Sequence, residues 1–185
     1  WRGFDIGMNR NERAQRSAVL ETLLDAGASV VDSSPMYGRA EGVAGDLLAD
    51  MGRRDEAFIA TKVWTQGGRQ GIREVEDSFR LFHTDTIDLM QVHNLVDWRT
   101  HLDPMRAWKA EGRLRYTGYT HYRPHAFDEV PGFGRGTEVA VVGCAGREAN
   151  QGDDQQRDQR NLNHTTSQAR QSAAGPVSQG GKARE

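Results

Sequence analysis

The run Ile87-Asp88-Leu89-Met90-Gln91-Val92-His93 reads as a buried strand that ends on an ionisable side chain. Two earlier runs end the same way, Ser29-Val30-Val31-Asp32 and Phe58-Ile59-Ala60-Thr61-Lys62, and a fourth, Leu114–Tyr119, follows. The runs begin at Ser29, Phe58, Ile87 and Leu114, at intervals of 29, 29 and 27 residues. That period accommodates a strand, a turn, a helix and a turn, the repeating unit of a parallel sheet. The connecting stretches carry helical periodicity. Glu12–Ala26 places Val19, Leu20, Leu23 and Leu24 on one face and stops at Gly27. Gly42–Met51 carries Val43, Leu47, Leu48 and Met51; Gly71–Phe82 carries Ile72, Val75, Phe79 and Phe82; His101–Glu111 carries Leu102, Met105 and Trp108.

Trp1–Ile6 reads as the stub of an earlier strand, and Pro124 is placed to open a helix through His125–Val130. The expected fold class is therefore α/β, a (β/α)8 TIM-type barrel that is incomplete, with about five βα units. A whole barrel takes ~250 residues and at least ~200, against 185 here.

Composition divides the chain. Every aromatic residue except Phe133, and every Ile and Met, lies within residues 1–130. From Pro131 the text turns to Gly, Gln, Arg, Asp, Asn and Ser, and Asn150–Arg160 holds no apolar residue. Such a stretch cannot bury enough surface to offset the entropy of ordering it. The expected organisation is a barrel portion over 1–130 and a low-complexity, disordered or frame-shifted tail over 131–185, with one apolar patch at Val139–Cys144. A reading-frame shift or fused end near residues 130–136 accounts for the break, and translating the gene in its other frames tests it.

A net charge of −2 and a pI near 6.3 give no sign of a nucleic-acid partner. The one cysteine, Cys144, excludes an internal disulfide and fits a reducing, cytoplasmic setting. No apolar run is long enough to cross a membrane. The chain shows no charged-then-apolar leader, although it begins with Trp1 rather than Met.

In a barrel of parallel strands the carboxyl ends open on one face, where the chemistry is done. Asp32, Tyr37, Lys62 and His93 all fall at that phase of the repeat. Singly each has an ordinary reading as a turn acid, a loop phenol, a solvated lysine or a satisfied histidine. Together they place an acid, a phenol, an ammonium and an imidazole at one opening.

The segments Val31–Gly38, Ile59–Val63 and Thr84–His93 resemble, in order and spacing, the motifs that carry the catalytic tetrad of the aldo-keto reductase superfamily, and Glu111–Gly118 resembles that family's stretch entering the fifth strand. The resemblance runs from about Trp1 to Val130. It implies NADPH-dependent reduction of a small aldehyde or ketone. Tyr37 is then the proton donor, Lys62 lowers the phenol's pKa, Asp32 holds Lys62, and His93 orients the carbonyl. The family's Gly-Val-Ser-Asn-Phe is here Gly118-Tyr119-Thr120-His121-Tyr122, so Thr120 and His121 become the expected contacts to the nicotinamide amide. No counterpart of the later phosphate-binding loops follows residue 130.

Two alternatives stand beside this reading: a catalytically inactive remnant unable to hold cofactor, and a barrel enzyme with Lys62 as a Schiff-base nucleophile. Gly67-Gly68-Arg69-Gln70-Gly71 reads as a flexible loop, lacking the spacing of a phosphate-binding fingerprint. His121 and His125 are four apart but lack a third ligand, so no metal is expected. Trp98 and Trp108 are candidates for a pocket wall, core packing being the expected role of Trp108. Unpaired strand edges predict self-association.

Overall fold

The computed structural model describes residues 1–123, 125–126 and 130, and the backbone of a strand at 138–142; these fall within one unit, Trp1–Cys144. Helix α1 (Arg10–Asp25) precedes strand β1 (Val30–Asp32), and then come α2 (Ala40–Asp50), β2 (Phe58–Val63), α3 (Gly68–Leu81), β3 (Ile87–Val92), α4 (Trp98–Ala110), β4 (Leu114–His121) and β5 (Glu138–Val142). The strands form one parallel sheet in the order β1-β2-β3-β4-β5. This is the α/β arrangement expected of a TIM-type barrel, seen over five strands.

Local chemistry sets the helix ends. The Asn9 side chain accepts from the Asn11 and Glu12 amides at 2.9 and 3.2 Å, a cap worth about 1 kcal/mol. Gly27, at φ +75°, takes the left-handed position that stops α1. Two glycines allow close approaches. A Cβ at Gly45 in α2 would lie 2.0 Å from the Leu81 carbonyl oxygen, and one at Gly71 in α3 would lie 2.4 Å from the His101 ring.

Side chains alternate across the sheet. Val31, Ile59, Val63, Met90, Val92 and Tyr119 are buried, and Leu20, Leu48, Val75, Phe79, Phe82 and Met105 complete the cluster. Each large apolar side chain buried there contributes roughly 1.5–3 kcal/mol. The register aligns Asp32 with Ala60, Lys62 with Gln91, and Gln91 with Gly118. Those side chains therefore share the other face, which also carries Val30 (54% exposed), Phe58 and Tyr116 (40% exposed). Phe58 and Tyr116 stack at 6.2 Å across the width of β3, as a curved, inward-facing surface requires. Among the described residues no helix is long and apolar enough to cross a membrane.

Several expectations change. Trp1–Ile6 is not a strand: Arg2–Phe4 form a 3-10 turn, and Phe4 and Ile6 pack into the core. Gly67–Gly71 is not a flexible loop; Gly67 caps α3, and Gly68 begins it. Val19 and Ile72 are exposed because each sits one position off the buried stripes, Leu20–Leu24 and Gly71–Val75–Phe79. Strand β5 lies inside the segment read from composition as a tail, on its apolar patch, and pairs with β4 from Thr117↔Glu138 to His121↔Val142. The helix expected over His125–Val130 lies outside the described residues, apart from a turn at His125 and Ala126 and a buried Val130. Cys144 and the remainder of 131–185 lie outside them too.

Candidate active site

The carboxyl ends of β1, β2 and β3 bring Asp32, Lys62 and His93 together. The Lys62 ammonium is buried, its side chain 6% exposed, and it donates to both Asp32 carboxylate oxygens, at 2.8 and 2.9 Å. Its third bond goes to the Ser33 carbonyl at 2.6 Å. All three N–H donors of the ammonium are thus committed, which is how a protein tolerates a buried cation. A Schiff-base lysine needs a neutral, uncommitted amine, so this geometry argues against that alternative.

Tyr37 stands on a 3-10 turn (Pro35–Tyr37) opened by Pro35 and capped by Ser34. Its half-buried ring has the Lys62 nitrogen 5.7 Å from its centre and meets the His93 ring edge-on at 6.3 Å. The phenol's pKa is pushed above its ordinary value, by burial first and by the Asp32 charge second, with Arg2 opposing. This corrects the expectation that Lys62 lowers it. The Lys62 charge is matched at contact distance by Asp32, which leaves the phenol in an environment that favours its neutral form.

His93 is buried, and desolvation together with the Lys62 charge pulls its pKa down to about 3. It is a neutral imidazole at ordinary pH. Its Nδ1 lies 3.1 Å from the Ser34 hydroxyl, whose oxygen accepts from the Met36 amide at 3.4 Å. The hydroxyl can give its proton to Nδ1 in the tautomer that carries the ring proton on Nε2, and can accept from Nδ1 in the other. Nothing in the sequence beside Ser34 marks it for this role; its coupling to the histidine requires the fold.

Gln91, on the same face as Lys62, donates to Asp32 Oδ1 at 3.3 Å, and its buried Oε1 has no partner among the described residues. The signal for it was a lone amide within the apolar run of β3. Trp64 follows Lys62 by two residues and so points the same way; its ring centre is 6.5 Å from that of His93. The loop bearing it is held from three sides. The Trp64 amide donates to Glu74 of α3 at 2.5 Å, His101 of α4 donates to the Thr65 carbonyl at 2.8 Å, and the Gly67 amide donates to Asp97 at 2.8 Å. Glu74 lies near Glu41, itself buried and bonded to Thr61 and Ser78. Burial raises the Glu74 carboxyl to about 7, and Glu41 and Asp77 add to the rise.

The two residues expected at the nicotinamide part company. Thr120 is buried, and its hydroxyl oxygen accepts from the Asn94 amide at 3.2 Å, leaving its proton to donate. His121 turns toward the next residues: its Nδ1 accepts from the Arg123 amide at 2.9 Å, and its ring stacks on Tyr122 at 4.6 Å. Asn94, Leu95 and Asp97, just after His93, are non-glycine residues with positive φ, of 52°, 56° and 48°. Such conformations cost of order 1–3 kcal/mol and cluster at functional sites.

The sequence profile of the Aldo/keto reductase family matches residues 2–145, beyond the composition break at 131. Among curated relatives, the methylglyoxal reductase YeaE of Escherichia coli K12 is 30% identical over 122 residues, 63% of this chain and 42% of that protein. The aldo-keto reductase YhdN of Bacillus subtilis is 29% identical over 59% of this chain and 38% of its own length. An aldo-keto reductase from Klebsiella pneumoniae solved with NADPH superposes with a TM-score of 0.58 at 26% identity, covering 68% of this chain and 46% of that one. The holo form of one from Bacillus halodurans gives 0.57 at 28% identity, covering 74% and 48%. The chain spans less than half the length of these relatives. The profile match takes in all five described strands and more than three quarters of the chain, and it leaves one assignment: the chain belongs to the aldo/keto reductase family.

Proposed function

We propose that the chain carries the proton-donating centre of an NADPH-dependent reductase of small aldehydes or ketones. The observation that supports this most is the buried Lys62–Asp32 pair with the Tyr37 phenol and the neutral His93 around the same opening. Bound NADPH supplies a hydride to the carbonyl carbon. Tyr37 gives its phenolic proton to the oxygen as negative charge develops there, and the product is the alcohol. A phenol kept neutral by burial and by Asp32 holds that proton at neutral pH. His93, with its proton on Nε2, donates a hydrogen bond to the same oxygen and orients the carbonyl. The residues fit a carboxamide: the Thr120 hydroxyl can donate, and the buried Gln91 oxygen can accept.

The test is Tyr37→Phe, with methylglyoxal, for which several relatives are named, as the probe substrate. Turnover should fall by about 10²–10⁴-fold, the usual worth of a positioned proton donor, while NADPH binding followed by fluorescence is unchanged. Undiminished turnover in the variant removes the tyrosine from the mechanism. A parent chain that does not bind NADPH would instead support the inactive reading.

The inward face also bears on assembly. Val30 and Tyr116 are apolar and exposed, and β1 pairs only with β2 among the described residues. Such edges and patches recruit further strands. We propose self-association through them, and a monodisperse monomer in light scattering would refute it.

A further inference from the structure

At the same end of the sheet, beside the strand ends that carry His93 and Thr120, lies a cleft of about 500 Å³. Its walls include Asp97, Trp98, Arg99, His121, Arg123 and His125. The Arg99 guanidinium lies 4.4 Å from the Trp98 ring centre, and that of Arg123 lies 5.3 Å from the centre of Tyr122. Both arginines are exposed, and neither has a carboxylate partner among the described residues. The single acid among the described residues of the wall, Asp97, is taken up by the Gly67 amide and by the Thr100 hydroxyl at 2.6 Å. Among the described residues two positive charges therefore face one committed negative charge. The rim is also the strained segment: Leu95 and Asp97 both line or cap it with positive φ.

We propose that this cleft holds a carboxylate carried by the carbonyl substrate, so that the preferred substrates are short oxo acids rather than neutral aldehydes. Guanidinium groups match carboxylates through paired N–H donors, and aromatic stacking holds their planes. The volume suits a small molecule. The cleft adjoins the reacting end through two short links: Leu95 lies two residues after His93, and His121 follows Thr120, whose hydroxyl receives the Asn94 amide. This inference rests on the reductase reading for its catalytic part and on the cleft alone for its binding part.

The test has two arms on the full chain, with Arg99→Ala, Arg123→Ala, the double variant, and Arg→Lys counterparts. The first arm needs no catalysis: saturation-transfer NMR with succinate and, separately, titration with inorganic phosphate at low salt. Succinate should bind saturably. Each arginine removed should weaken it about fivefold, as for an exposed ion pair of ~1 kcal/mol. Lysine should restore the charge but not the full affinity. Absence of saturable succinate binding, or binding unchanged in the double variant, overturns the proposal.

The second arm compares succinic semialdehyde with butanal. The double variant should raise KM for the anionic aldehyde alone, with kcat and the KM for NADPH unchanged. Tighter binding of phosphate than of succinate, with a raised KM for NADPH in the double variant, would assign the cleft to the cofactor and overturn the proposal. Should the chain reduce neither aldehyde, the reductase reading fails and the first arm still decides what the cleft binds.

Discussion

Replacing Glu74 by Gln should make the protein more stable above neutral pH and leave it unchanged in acid. The carboxyl accepts the Trp64 amide while buried between α3 and the neighbouring acids Glu41 and Asp77, and its pKa rises from 4.5 to about 7. An unfolded chain releases that proton near 4.5 and the native form releases it near 7, so between those values the native state binds more protons. Stability therefore falls as pH rises through this window, and below 4.5 there is no effect. At about 1.4 kcal/mol per pH unit, the full penalty above 7 is about 3 kcal/mol. Glutamine keeps an oxygen for the Trp64 amide and removes the charge. Its NH2 must still find a partner, so a net gain of about 1–3 kcal/mol at pH 8 is expected.

The assay is urea unfolding of parent and Glu74→Gln at several pH values from 4 to 8. Glu41, whose carboxyl is likewise raised by burial, titrates in both proteins, so the difference between the two curves reports Glu74 together with its coupling to Glu41. That difference should be near zero in acid and open between pH 4.5 and 7. Parallel curves, or a variant less stable at pH 8, would refute the argument and make the carboxylate–amide bond the dominant effect.

Gly45→Ala should destabilise by about 1–3 kcal/mol, despite alanine's better helix propensity, because the new methyl would meet the Leu81 carbonyl at 2.0 Å; thermal melts of the two proteins check it. Asp32→Asn should lower the Tyr37 pKa, since burial still raises it but the carboxylate that adds to the rise is gone and Lys62 is released. Ultraviolet difference titration, with Tyr37→Phe to assign the signal, measures this, and an unchanged or higher value contradicts it.

The parts of the site legible in the sequence were those set by chain period. Asp32, Lys62 and His93 recur at one phase of a repeat near 29 residues, and parallel pairing in sequential order turns a shared phase into shared space. What depends on contact between distant side chains was not legible. Ser34 and His93 are 59 residues apart, and nothing in either neighbourhood announces their bond. The direction of the Tyr37 shift is hidden for the same reason: it is set first by burial of the phenol and then by the Asp32 charge, and both depend on the folded surroundings. Strand β5 was hidden by composition. Its five residues, Glu138–Val142, are flanked by Gly, Arg and Asn, and a strand that short shows its role only when a neighbour such as β4 supplies the hydrogen bonds.

The end of β3 ties His93 to the neighbouring cleft. A parallel strand must leave the sheet to reach its helix, and this one does so through residues in the left-handed region, immediately after His93. The turn has two consequences. It seats the Asn94 amide on Thr120, tying the histidine's strand to the next strand end, and it delivers Asp97 to the Gly67 amide and Arg99 to the cleft. A substitution that relaxed Leu95 or Asp97 would therefore disturb the imidazole, the wall bearing Trp64 and the arginine cleft together. The strain in this segment is the local expense of holding His93 and the neighbouring cleft in one fixed relation.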